Sequence, residues 1–341
     1  MTAMSYSQTR LVQALQKRAP PVAPFSISIS VSAGIINFAV LLTKNHILVE
    51  YLPSWFPGTY YVNHARKWAP KVKEFRDLPF EGVRHQMEQG SAKPCLVASE
   101  LEALGDENAD SNITIGDIKG AAATTYSAGV GTTSSALSVF VMAMILHPEY
   151  QAQAQAELDA VVGTQRLPEF NDRDSLPFLQ CLIDETLRWF SPFPAGIPHL
   201  SMEDDVYKGM FIPKGSTIIA NARGMSWDEK VYANPFNFEP TRYLPAPLGR
   251  GEPRPVAHWG FGRRICPGRH FADSSLWIAI ATILSTLSIS KAIDKDGNEI
   301  TPELTFVASI ASQLKPFPFC TKPRSEEVAK LLSQVDVADD Y

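Results

Sequence analysis

WGFGRRICPG, residues 259–268, is the stretch on which the fold is decided. It sets one cysteine, Cys266, in a turn punctuated by Gly262 and Gly268, with Arg263 and Arg264 just ahead of it and an apolar run just behind. Glycines so placed permit backbone dihedrals and a close approach that a side chain would forbid, which suits a loop bent tightly beneath a flat ligand. Two guanidinium groups, and a helix opening after Pro267, place positive charge near the sulfur and favour a thiolate. A cysteine taken alone reads as an ordinary buried thiol. The loop around it argues for a thiolate presented to a metal.

Working outward, Phe271 to Leu287 reads as an almost wholly apolar helix that packs as core. Upstream, a long helical run begins near Thr114, lasts to about Leu146 and ends at His147-Pro148. It carries AGVGTT, Ala128 to Thr133, and a mid-helix glycine costs on the order of 1 kcal/mol relative to alanine. Two readings stay open: close helix packing through small residues, or room for a ligand with a local widening of the helix. Next, EYQAQAQAELDAVVG is a surface helix whose QAQAQA run needs no functional reading, and 175–188 form an apolar helix with Glu185 and Arg188 on one face. FEPTRY, 238–243, brings Arg242. Between them, PFPAGIPH (192–199) leads into short apolar strands separated by Lys208-Gly209 and Lys214-Gly215 turns. A hairpin with an Asp296-Gly297 turn closes the patterned region.

The cysteine loop resembles that of the cytochrome P450 family, Phe-x-x-Gly-x-Arg-x-Cys-x-Gly, at every position except the first, where Trp259 keeps an aromatic ring. The ExxR pair and FEPTRY follow the same family's pattern in the same order, and the resemblance runs from about Val49 to Arg324. It implies a mainly α fold with a small β-sheet, the haem-thiolate fold, here incomplete at its N-terminus. It also implies haem b with Cys266 as axial ligand of the iron and Trp259, Gly262 and Gly268 shaping the loop beneath it. Arg264 and His199 are the implied propionate contacts, and Ala195, Gly196 and Ile197 line the substrate. Glu185, Arg188 and Arg242 form a buried structural network. Thr132, with Thr133 beside it, falls on the threonine that helps deliver protons to bound oxygen, whereas Gly131 falls where the family has an acid. Glycine relays no proton.

The function so implied is a monooxygenase that inserts one oxygen atom from O2 into an apolar organic substrate, in secondary metabolism by the fungal texture of 51–58, with NADPH electrons arriving through a partner reductase. Gly131 keeps two alternatives in play: a non-catalytic haem-binding remnant, and a reductase-independent haem-thiolate isomerase or lyase. The AGVGTT segment stands at 128 of 341 residues, earlier than in the family, and Trp68 is followed by Val72 rather than by the arginine of a Trp-x-x-x-Arg helix. A shortened N-terminal third is the expectation. By resemblance the chain belongs on the cytosolic face of the endoplasmic reticulum membrane, or in the cytoplasm if no anchor is present.

Composition fits an ordinary globular chain: 45% of residues are hydrophobic and the net charge is −5, which argues against nucleic-acid binding. Four cysteines, at 95, 181, 266 and 320, show no CxxC spacing, so neither a zinc site nor a disulfide framework is expected. Residues 19–43 carry no charge until Lys44 and are long enough to span a membrane, yet three prolines open the stretch and 26–32 alternate with period two, as a half-buried strand does. The expected divisions are a divergent segment at 1–48 with a membrane-associating stretch as one reading, the catalytic region at 49–324 and a polar tail at 325–341.

Overall fold

The computed structural model describes residues 53–55, 59–105, 112–307 and 311–334. The membrane candidate at 19–43, the alternating segment at 26–32 and the division at 1–48 lie outside the described residues. Two compact units divide the chain between Gly131 and Thr132.

The first unit holds helices α1 (Tyr60–Glu88) and α2 (Leu96–Leu104) and the opening of α3 (Ile115–Leu146). Basic helical stretches are expected after a proline-broken entry, and α1 joins them into one 29-residue helix with Pro70 and Pro79 inside it. Of residues 99–112, whose acidic sequence predicts a surface connection, those up to Leu104 are instead helical in α2, where Val97 and Ala98 are buried. The unit's core joins Phe80, Val97, Ile118 and Ala122. Lys119 covers it, ion-paired to Glu81 at 2.8 Å and lying over the Phe80 ring. Thr114 and Asp117 start α3 reciprocally: the carboxylate accepts the Thr114 amide at 2.9 Å and the Asp117 amide donates to the threonine hydroxyl at 3.2 Å.

In the second unit α3 continues from Thr132, followed by α4 (Pro148–Val161) and α5 (Pro177–Trp189). After them come strands β1 (His199–Leu200), β2 (Asp205–Tyr207), β3 (Met210–Ile212) and β4 (Thr217–Ile218), then α6 (Ala222–Ser226) and α7 (Arg269–Thr286). Strands β5 (Leu287–Ile293), β6 (Glu299–Ile300), β7 (Phe306–Val307), β8 (Gln313–Leu314) and β9 (Phe319–Pro323) precede α8 (Glu326–Gln334), so most of the expected polar tail is helical. The β component is four pieces: the antiparallel pairs β1–β4, β2–β3 and β7–β8, and a three-stranded sheet in the order β6–β5–β9. Gly297 turns β5 into β6 at φ 88°.

One core joins α3 (Ala136, Val139, Phe140, Ala143, Met144), α4 (Ala154, Leu158), α5 (Leu179, Leu182, Ile183) and α7 (Leu276, Trp277, Ile280, Leu284). By length and composition α3 is the one helix among the described residues that passes as a membrane span, and its C-terminal half supplies this core instead. Helix α4 is less of a surface helix than its polar sequence predicts. It packs on α5 and α7, and Gln151, buried at 5% exposure, accepts the Ile289 amide at 2.7 Å and donates to the Ile289 carbonyl at 2.9 Å. Glu157 turns its carboxylate onto the amides of Phe178 and Leu179, both at 2.9 Å, and so caps α5. The apolar face of α7 is confined to its later turns, since Phe271 stands 79% exposed.

Candidate functional site

The chain reaches α7 through a short 3-10 turn at Ala257–Trp259, a second at Gly262–Arg264, and Cys266. Glycine is required twice. Gly260 lies at φ 78°, ψ −166°, a region essentially closed to side-chain-bearing residues, and Gly262 at φ 56°. Gly268 differs from expectation: its φ of −86° is open to any residue, and it serves as the N-cap of α7. The Cys266 amide donates to the Trp259 carbonyl at 2.7 Å, pulling the two ends of the loop together. On the far side the Arg269 amide and guanidinium both point to the Cys266 carbonyl, at 3.4 and 3.3 Å. Cys266 is half-buried and has no disulfide partner. Arg263 and Arg264 are exposed beside it, and Trp259 packs against the main core.

Sequence reasoning missed His258, one residue before Trp259. Both ring nitrogens are shielded from solvent with no hydrogen-bond partner among the described residues, and burial pushes the imidazole down to about 4, so it is neutral. The only signal available was a polar residue in an otherwise apolar VAHW run.

Glu185, Arg188 and Arg242 meet, all three with fully buried side chains. Arg188 forks onto both Glu185 oxygens at 2.7 and 2.8 Å, and Arg242 donates to Glu185 Oε1 at 3.1 Å. The helix supplies the first two from one face of α5, while Pro240–Tyr243, a 3-10 turn, delivers the third. The network is larger than the motif. Tyr243 donates its hydroxyl to Glu185 Oε2 at 2.8 Å, and Glu252 accepts from Arg242 at 2.7 Å. Burial, then the Glu185 charge, drives the Tyr243 phenol far above its ordinary range. Burial also pushes Glu252 up, but hydrogen bonds from Arg250, Arg242 and the Ala233 amide outweigh it and hold that carboxyl below the usual value.

Thr132 and Thr133 are half-buried on α3. His199 is exposed in β1, paired through its backbone with Ile218. Ala195 and Ile197 are exposed in the turn ahead of it.

The donor chemistry is narrow. No group of three or more His, Cys, Asp or Glu side chains that would cage a metal occurs among the described residues. One half-buried thiol on a tight, glycine-bearing loop is the protein donor a haem-thiolate site needs, because the porphyrin would itself supply its four nitrogens. The residues present fit that group. The comparisons with known proteins agree: the family described as Cytochrome P450 matches residues 32–317. The chain is 41% identical over 310 residues to cytochrome P450 monooxygenase 136 of Postia placenta, covering 90% of this chain and 58% of that protein. It is 38% identical over 294 residues to cytochrome P450 monooxygenase claR of Ampulloclitocybe clavipes, covering 86% and 53%. Among solved structures, a zebra fish cytochrome P450 with progesterone superposes with a TM-score of 0.66 at 25% identity, covering 79% of this chain and 60% of that one. The chain belongs to the cytochrome P450 family and has its fold. It spans under three fifths of the length of these curated relatives, 58% of the first. Membership carries with it a haem held by a cysteine thiolate.

Proposed function

We propose that the chain is a haem-thiolate monooxygenase that inserts one oxygen atom from O2 into a small apolar organic substrate of secondary metabolism. The Cys266 loop carries the reading: a half-buried thiol, held between two backbone anchors and followed by a helix whose later turns enter the core. Cys266 Sγ would hold the haem iron as a thiolate, and the haem would supply oxygen activation there. Trp259 and Gly262 shape the loop, and Gly268 starts the helix behind it. Arg264, exposed two residues before the ligand, pairs with one propionate, and His199 takes the other. Thr132 Oγ1, with Thr133 beside it, holds a hydrogen-bonded proton on the oxygen side of α3. Because Gly131 offers no carboxylate there, ordered water completes the path. Ala195, Gly196 and Ile197 wall the substrate.

The partners in this reading are an NADPH-dependent reductase, which delivers the electrons, and the apolar substrate; nucleic acid has no part. The cytosolic face of the endoplasmic reticulum membrane is the site of action. The reduced, carbon-monoxide-bound absorption spectrum of the chain tests the ligand directly. A strongly red-shifted Soret band is expected, lost in Cys266→Ala; an unshifted band in the wild type, or the same band in the variant, overturns the assignment. Gly131 favours a second reading, a haem-thiolate isomerase or lyase acting on peroxides, and turnover without NADPH or reductase decides for it. A chain that takes up no stoichiometric haem is instead a non-catalytic remnant.

A further inference from the structure

Ser135 follows Thr132 by three residues, one turn along α3 and on the same face. A helical serine commonly turns its hydroxyl back to the carbonyl four residues earlier, as Ser138 does to Ser134 at 2.9 Å. Ser135 forgoes that bond. Buried at 4% exposure, it donates to the Ser312 carbonyl at 2.5 Å across 177 residues of sequence. The Ser312 amide then donates to the Pro192 carbonyl at 2.6 Å. Two short hydrogen bonds in series therefore tie α3, the approach to β8 and the exit of α5 into one clasp.

What leaves the clasp at Pro192 is itself pinned. The Gly196 amide donates to Phe193 at 3.1 Å, and the Arg223 amide donates to Pro194 at 2.8 Å. Gly196 sits at φ 59°, and a Cβ there would meet the Ala220 carbonyl at 3.4 Å. The turn has little freedom of its own, so its place relative to α3 is decided at its root. It ends on Ile197, whose side chain is 58% exposed although apolar.

We propose that Ser135 is a specificity-determining positioning residue: through Ser312 its hydroxyl sets the separation between the Thr132 face of α3 and the Pro192–Ile197 turn, and so the width of the space left for substrate. The consequence for substrate rests on the haem-thiolate reading; the clasp itself does not. Removing the hydroxyl leaves the Ser312 carbonyl without its buried donor, and the loop shifts or admits water to satisfy it.

Two measurements on the full chain test this. In hydrogen exchange, Ser135→Ala should speed the amides of 193–200 and 311–315 by about five-fold, leave those of α7 unchanged, and be rescued by Ser135→Thr, which keeps the hydroxyl. Unchanged exchange in the first two segments overturns the proposal whether or not the chain binds haem. In the haem-loaded chain, titration with imidazole and with 4-phenylimidazole, read from the Soret shift, should change the ratio of their Kd values by about five-fold in Ser135→Ala, with imidazole itself unmoved. Parallel changes for both azoles also overturn it. A wild-type chain without the thiolate–carbon monoxide band instead sinks the haem-thiolate reading, and exchange then decides the clasp alone.

Discussion

Replacing Arg242 by methionine keeps much of the side chain's length and removes its charge from a fully buried position. The guanidinium donates to Glu185 at 3.1 Å, to Glu252 at 2.7 Å, and to the carbonyls of Ala233 and Asn237 at 2.9 and 3.2 Å. Both carboxylates keep other donors: Glu185 retains Arg188, Tyr243 and the Glu239 amide, and Glu252 retains Arg250 and the Ala233 amide. Breaking a buried pair from one side typically costs about 3–5 kcal/mol, and the surviving donors place this case near the lower end, at about 3 kcal/mol. With a urea slope of about 2–3 kcal/mol per molar, the midpoint falls by about 1–1.5 M. Tryptophan fluorescence reports the transition, since Trp189 donates to the Phe236 carbonyl beside the network. Arg242→Lys recovers only part of the loss, because an ammonium cannot span both carboxylates as the fork does. Paired with Glu185→Gln, the double variant should be less destabilised than the sum of the singles, by about 1–3 kcal/mol. Strict additivity, or a loss under about 1 kcal/mol for Arg242→Met, would show that the network does not hold this core together.

Other outcomes follow from single residues. With its imidazole held down at about 4, His258 is neutral in the fold but takes a proton below about 6.5 when unfolded. Its contribution is therefore complete above pH 6.5 and falls by about 1.4 kcal/mol per pH unit toward pH 4. His258→Phe should flatten the acid limb of the stability profile, and an unchanged limb counts against a buried neutral imidazole. Gln151→Leu strips both bonds from the Ile289 backbone and should lower unfolding free energy by about 2–4 kcal/mol; a loss under 1 kcal/mol by urea titration contradicts the pairing. Gly260→Ala, forced into a glycine-only conformation, should cost about 1–3 kcal/mol and reduce haem retention in gel filtration. Gly268→Ala, with ordinary dihedrals and open space around the new methyl, should retain haem as the wild type does.

The fold's major helices were legible because their signals are local. The Thr114 start and the His147-Pro148 stop bound α3, whose first residue is Ile115 and last Leu146, and the Asp296-Gly297 turn falls between β5 and β6. The basic helical stretches expected after the proline-broken entry form one helix, α1, which runs through Pro70 and Pro79. Polarity misled at Gln151, because an amide side chain is as welcome inside as a leucine once a strand's free backbone pair meets both its ends. The sequence also marked Gly262 but passed over Gly260, since a glycine's dihedral depends on where the chain is heading on either side.

By itself, the sequence determined the family, the order of its segments and the residue types of the site: a thiol between glycines and arginines, and a Glu-x-x-Arg pair with a third cation 54 residues beyond Arg188. Those are questions of identity and spacing along one chain, and short-range chemistry answers them. Only the tertiary structure decided that Tyr243 and Glu252 join the buried network, that the ring nitrogens of His258 are sealed without a hydrogen-bond partner among the described residues, and that Ser135 reaches Ser312 rather than its own helix. Each of these depends on which groups lose water together, and that is fixed by packing between segments far apart in sequence, where no local pattern records the partner.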